Sequence, residues 1–281
     1  MGKSSRRARP KARIQFVNRP FEGLPFEAEL VAMREIIPAA TLTVTTSAEH
    51  GSREVTLVTI LPGMGAAMRR KSGELLVAVQ TVTASGDVSL DIADRLLKAL
   101  ELEPGQSIRS VDLPEPGPRL QDILDVEQVG ELQILDSYEY WVDAEDAEDP
   151  NVQMALQQTS EQMVPTAKVE GVEGAYWCRM QREFLRWVRP EEEAKVLDGL
   201  ARLHHKRELT FDDARFVGAF RALGLLIPVF ELVEGAEAEE LTEPLATFDK
   251  ALTAAIASDE PLTPEERRTR SGIISRQVTL R

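Results

Sequence analysis

Residues 176–189, YWCRMQREFLRWVR, can be wound in two ways, and the choice between them decides the fold. As a helix, at about 100° per residue, the stretch gathers Arg179, Arg182, Arg186 and Arg189 within roughly 80° of arc. Trp177, Met180, Phe184, Trp187 and Val188 then crowd a separate arc. That is a basic amphipathic helix, suited to RNA, a membrane surface or a partner groove. As a hairpin, AYWCRM and EFLRWV become two aromatic-rich strands joined near Gln181 and Arg182. Pro190 follows at once and opens a helix of its own, which favours the hairpin. The arginines then lose their common face. Tyr138, Tyr140 and Trp141 likewise read as sheet core before they read as a base-stacking platform.

Working outward, the helix opened by Pro190 has glutamates at 191–193 in its first turn and Arg202, His204, His205, Lys206 and Arg207 near its end, matching the macrodipole. Val196, Leu197, Leu200 and Leu203 form its buried stripe. Strands at 215–220 and 225–233 turn at the glycine of RALG, and a helix at 244–258 carries Leu245, Phe248, Leu252 and Ile256 on one face. Toward the N-terminus, the pattern predicts a helix over 27–37 stopped by Pro38 and strands at 41–46, 54–61 and 74–82. A helix over 89–102 follows, capped by Asp87 or Ser89. Residues 103–118 are a Pro/Gly-rich connector. A strand at 132–142, an acidic loop, a polar helix over 152–163 and a strand at 166–170 complete the middle.

Residues 54–102 and 215–258 repeat one order of elements: strand, turn, strand, amphipathic helix. This predicts an α+β protein of two loosely similar units, each an antiparallel sheet with helices packed on one face. The expected division is a basic disordered tail at 1–18 and units at 19–128 and 129–262. Residues 263–281 are expected to hold a capped helix turn, with Thr263 as N-cap and Glu266 reaching back, and then an Arg-rich tail.

Charge separates the ends from the body. Residues 1–19 hold Lys3, Arg6, Arg7, Arg9, Lys11, Arg13 and Arg19 and no acid; residues 267–281 hold Arg267, Arg268, Arg270, Arg276 and Arg281 and no acid. Removing these twelve from the 33 basic residues leaves 21 against 47 acidic ones, so the body carries −26 although the whole chain carries −14. Such a body repels a nucleic-acid backbone, whereas such ends attract one. The phosphate or RNA contacts expected are therefore Lys3, Arg6, Arg7, Arg9, Lys11, Arg13, Arg267, Arg268, Arg270 and Arg276. The expected partner is ribosomal RNA or the ribosome, with a protein partner as a further expectation. Neither end has the apolar face that a membrane surface requires, and no sequence-specific DNA reader is present. With no signal-peptide run, no membrane-length apolar stretch and a single cysteine, the expected location is the cytoplasm.

The routes to catalysis are weak. The loop 61–73, LPGMGAAMRRKSG, sets Gly63 and Gly65 beside Arg69, Arg70 and Lys71, which suggests a phosphate loop. Met68 stands where a dinucleotide fingerprint needs its third glycine, and no GK[ST] follows, so a solvated hairpin loop is expected. His204 and His205 are adjacent and point about 100° apart on a helix, so they cannot readily clasp one metal. There is no HExxH, CxxC or GxSxG, and the acidic loop at 143–149 lacks the glycine of an EF-hand. Cys178 sits among aromatics as a buried thiol. No catalytic, cofactor or metal residue is assigned. A cleft between the two units binding a small molecule or substrate is the alternative, and a partner surface around Trp177 and Trp187 is a third reading that requires those rings to be exposed.

RPFEGLP at 19–25, TASGD at 83–87, RLQDILD at 119–125, AYWC at 175–178, LTPEERR at 262–268 and RQVTL at 276–280 together resemble an uncharacterised actinobacterial family, domain of unknown function family 5926. The resemblance spans about residues 19–281 and implies a cytoplasmic bacterial protein with no established activity. Some relatives carry a cysteine-rich zinc motif of the SecA C-terminal type ahead of the shared region. The first 18 residues of this sequence contain no cysteine, so that role does not transfer. The family defines no catalytic residues to carry over. The combined reading is a non-enzymatic binding or adaptor protein associated with RNA through its basic ends.

Overall fold

The computed structural model describes residues 14–110 and 112–275. α1 (Glu27–Glu35) leads into β1 (Ala40–Thr46), β2 (Glu54–Val58), β3 (Ala67–Arg69) and β4 (Leu75–Ala78). α2 (Val88–Ala99), β5 (Ser107–Ile108), α3 (Leu120–Ile123), β6 (Leu124–Val129) and β7 (Gln133–Ile134) follow. These strands make one sheet in the order β5-β3-β4-β2-β1-β6, with β7 also paired to β1. β4 folds back between β2 and β3, so it is antiparallel to β3 and parallel to β2, while the other neighbours are antiparallel. α2 starts where expected: the Asp87 carboxylate accepts from the Ser89 and Leu90 N–H groups at 3.1 and 3.3 Å.

The second sheet begins after α4 (Pro150–Ser160) with β8 (Thr166–Lys168), β9 (Ala175–Arg179) and β10 (Glu183–Trp187). α5 (Glu193–Lys206), β11 (Arg215–Ala222), β12 (Leu225–Glu231), α6 (Thr242–Ala257) and α7 (Pro264–Ser275) complete it. The sheet is wholly antiparallel, in the order β11-β12-β10-β9-β8. The YWCRMQREFLRWVR stretch is therefore the hairpin, with Phe184 opposite Cys178 and Trp187 opposite Ala175. β10 alternates buried and half-buried residues, the period-2 pattern of a strand. At the β11–β12 turn Leu223 and Gly224 have φ of 48° and 83°, and a Cβ on Gly224 would stand 2.6 Å from that of Arg19. Glycine there answers both the left-handed backbone and the close approach of the N-terminal segment.

The molecule is thus α+β, with two antiparallel-rich sheets and seven α-helices among the described residues. α1 lies between the sheets. Its Leu30, Val31, Ala32 and Met33 are fully buried, and the cluster around them takes Leu42, Leu57 and Val77 from one sheet and Tyr176, Leu225 and Ile227 from the other. These four consecutive residues turn through about 300°, so the middle of α1 is covered on nearly every side, while Glu35 at its end is exposed. On its other face the second sheet packs Trp187, Leu226 and Phe230 against α5 and α6, whose Leu197, Leu200, Leu245, Phe248, Leu252 and Ile256 are the predicted stripes.

Several local expectations fail for tertiary reasons. Residues 132–142 form only the two-residue β7 and then a 3-10 turn, Glu139–Trp141. Tyr138 stacks on Trp141 at 4.3 Å, and the Tyr140 hydroxyl donates to Ile60 O at 2.9 Å, so the aromatics cap the outer face of the first sheet. The expected solvated loop at 61–73 contains β3. Pro190 does not open α5: Arg189 is bridged to Leu226 in extended pairing, and the helix starts at Glu193. The Arg-rich segment after Thr263 is a 12-residue helix, and Ile273 is buried against the second core. The element-by-element correspondence of 54–102 with 215–258 also breaks, because β2 pairs with β4 in parallel, β3 intervening in the chain, whereas β11 and β12 form a direct antiparallel hairpin.

Candidate functional site

The cationic loop is held by the protein itself. Arg69 donates to Leu102 O at 2.7 Å and to Gly73 O at 3.3 Å. Arg70 pairs with Glu74 at 2.9 Å and reaches Glu139 O. The Lys71 N–H donates to Asp143, and its ammonium sits 3.3 Å from Asp146 and 3.4 Å from Glu145. These carboxylates hold the lysine proton more tightly than usual. The acidic loop is therefore the counterion of the basic one, and the phosphate-loop reading has no free cation to stand on. Asp149 from the same loop caps α4, accepting from Asn151 N–H at 2.7 Å.

The hairpin arginines are dispersed, as a strand requires. Arg179 pairs with Glu183 and Glu237, and Arg182 pairs with Glu231. Arg189 is buried, pairs with Glu191 and with Asp249 at 2.7 Å, and lies 4.5 Å over the Trp187 ring. Trp187 is fully buried and Trp177 is 5% exposed, which removes a partner surface centred on those rings. Burial pushes the Cys178 thiol up, away from thiolate character. Among the described residues no three His, Cys, Asp or Glu side chains gather as a metal site, and no helix is long and apolar enough to cross a membrane.

What the fold does assemble is a basic corner. α7 opens with the predicted capping box: Thr263 N–H donates to Glu266 at 2.8 Å and Glu266 N–H to Thr263 Oγ1 at 3.2 Å. It packs along α5, with Arg270 on Asp198 at 2.7 Å, and Glu266 lies close enough to Arg202 and His205 to feel both charges. The two helices therefore run antiparallel, and the first turns of α7 stand beside the end of α5. There His204, His205, Lys206 and Arg207 are all exposed and, with Arg268, make no ion pair among the described residues. Exposed Arg267 donates to Leu262 O. Glu208 and Glu265, both exposed, flank the corner. Of the predicted RNA contacts, Arg267 and Arg268 fall here and Arg270 is engaged by Asp198. Lys3, Arg6, Arg7, Arg9, Lys11, Arg13 and Arg276 lie outside the described residues. His204 to Arg207 were assigned only to the helix dipole in the sequence; their signal was the unbroken basic run HHKR at a helix end.

A cleft of about 730 Å³ opens elsewhere, between β7 of the first sheet and β8 of the second. Leu132–Asp136, the turn after α4, Trp177 and Glu239 line it, and Arg69, Arg70 and Lys71 do not.

The fold and these surfaces define a two-sheet α+β protein with an acidic body and one exposed basic corner. Its sequence matches the model of the family of unknown function DUF5926 over residues 20–281, and the chain belongs to that family. No curated protein matches the chain. No solved structure matches it either.

Proposed function

We propose that this is a non-enzymatic binding or adaptor protein of the actinobacterial cytoplasm that contacts RNA, with ribosomal RNA as its partner. The observation that carries the reading is the basic corner: exposed, unpaired cations at the joined ends of α5 and α7 on a body of opposite charge. Arginine and lysine side chains that make no internal ion pair are free to replace the counterions of a phosphate backbone. The basic segments at 1–13 and 276–281 add to the same charge. The rival phosphate-loop reading loses its support because Lys71 is held by the acidic loop and Arg69 and Arg70 by carbonyls and Glu74.

The test is sedimentation of cell lysate on a sucrose gradient at low and high salt. It compares the full chain with a triple charge reversal, Lys206→Glu, Arg207→Glu and Arg268→Glu. Comigration of the unaltered protein with ribosomal particles at low salt, lost at high salt and in the triple variant, is expected. Unaltered protein that stays at the top of the gradient at low salt overturns the reading.

A further inference from the structure

Phe16 is the one aromatic ring that the fold leaves in water. The chain has nine Phe, three Tyr and three Trp, and every other one is buried or half-buried, whereas Phe16 is 78% exposed. Its backbone is nevertheless fixed from two sides. The Val17 N–H donates to Gly86 O at 2.9 Å, and a Cβ on Gly86 would stand 3.5 Å from the Phe16 Cα. On the other side Asn18 O lies 2.8 Å from the place a Cβ would take on Gly224, in the β11–β12 turn. A pocket of about 310 Å³ opens between these supports. Phe16 stands at its rim, half-buried Val88 and Leu223 give apolar wall, and exposed Asn18 and the Arg221–Glu193 ion pair give polar edge.

We infer that this pocket takes an unpaired nucleobase, stacked on the Phe16 ring. A base needs an apolar surface against its flat face and hydrogen-bonding groups around its edge. The Phe16 ring, with Val88 and Leu223, supplies the first. The Asn18 amide, donor and acceptor at once, and the Arg221 guanidinium supply the second. The volume is at the small end of the range for small-molecule sites, which suits one base with its sugar. The local charge favours the phosphate as well. Glu193 is already neutralised by Arg221, and Arg13 stands three residues before Phe16, with five further cations between positions 3 and 11. Three residues of chain span at most about 10 Å, so the Arg13 charge stays near a bound nucleotide. An RNA strand and a free nucleotide both carry this chemistry. The strand as source rests on the RNA reading, although the pocket uses none of the corner residues.

The experiment measures fluorescence anisotropy of two labelled RNA hexamers against the full protein. One is a mixed adenosine–uridine strand; the other has the same backbone with abasic sugars throughout, so the two carry equal charge. The protein variants are Phe16→Ala, Phe16→Tyr and the triple reversal at the corner. The Phe16 side chain is exposed, so neither substitution there disturbs the core. The base-bearing hexamer is expected to bind the unaltered protein and Phe16→Tyr about tenfold more tightly than Phe16→Ala. All three should share one slope of log affinity against log salt, because no phosphate contact is lost. The abasic hexamer should bind all three equally, at the weaker level. Equal binding of the base-bearing hexamer by the unaltered protein and Phe16→Ala overturns the inference, as does a loss that the abasic hexamer shares. In either case, salt-sensitive binding that the triple reversal weakens leaves the RNA reading standing. If neither hexamer binds, the RNA reading falls, and calorimetric titration with adenosine monophosphate decides the pocket. Saturable binding lost in Phe16→Ala then supports a free nucleotide as the source of the base, and no binding overturns the inference.

Discussion

The loop at 69–71 and the corner at 204–207 look alike as sequence: RRK in one, HHKR in the other. In the fold they are opposites. The loop cations reach carbonyls and carboxylates of their own chain, two of the latter, Glu145 and Asp146, from the acidic segment, whose Asp143 also accepts from the Lys71 backbone N–H. The corner cations point to solvent, with α7 bringing Arg268 alongside. A cluster of positive charge is available to a partner only where the fold has not already supplied its counterions, and that is decided by tertiary neighbours. The same holds inside the protein. Arg95 is 2% exposed and donates to Ala78 O and Thr83 O at 3.2 Å; burial lowers its pKa to about 10. It fastens a strand end and presents nothing outward.

The contrast can be broken by removing engaged cations and watching stability. Arg189→Ala should have the largest effect, a loss of about 3 kcal/mol in urea unfolding, because Asp249 and Glu191 would remain beside a buried gap. Arg69→Ala should lose about 1–2 kcal/mol by the same measurement, since the Leu102 and Gly73 carbonyls lose their donor. Lys71→Ala should leave urea unfolding nearly unchanged, because its ion pairs are half exposed and screened. The triple reversal at the corner should lower the unfolding midpoint by no more than a few degrees, because it breaks no ion pair and loses only the match of charge to the end of α5.

The smallest expected effect is a pH dependence of α7. The Thr263 N–H, helped by the charges of Arg202 and His205, holds the Glu266 carboxyl below the usual glutamate range. A depressed carboxylate contributes stability that is present above its unfolded pKa and is lost as pH falls through the folded one. The protection of α7 amides, taken as exchange relative to the intrinsic rate at each pH, should therefore fall below about pH 4, and Glu266→Gln should show the reduced protection already at neutral pH.

Local signals were legible in the sequence. Asp87 as N-cap, the Thr263–Glu266 capping box, the Leu245–Phe248–Leu252–Ile256 stripe and the choice of hairpin for 176–189 each depend on residues within one or two turns of each other. β3 and β6 were not legible, and of the strand expected at 132–142 only the two residues of β7 formed, since strands this short are stabilised by neighbours far away in the chain. The start of α5 was misplaced because Arg189 is pulled into the sheet by Leu226 and Asp249, contacts that no local pattern encodes. For the site, the basic ends were visible as composition. The corner was not, because HHKR has a sufficient local explanation at a helix C-terminus and the adjacency of α7 is tertiary. A cleft between the two units was expected, but its lining was not legible, because β7 and β8, which border it, belong to different sheets.

The most direct test of the central claim is the salt dependence of binding to a labelled single-stranded RNA. It is measured for the unaltered protein, for Arg69→Ala and for the triple reversal Lys206→Glu, Arg207→Glu and Arg268→Glu. The account predicts that the unaltered protein and Arg69→Ala share one slope of log affinity against log salt. The triple variant should give a slope shallower by about 2, as three lost phosphate contacts require. Identical slopes for all three proteins, or no binding by the unaltered protein at low salt, would contradict it.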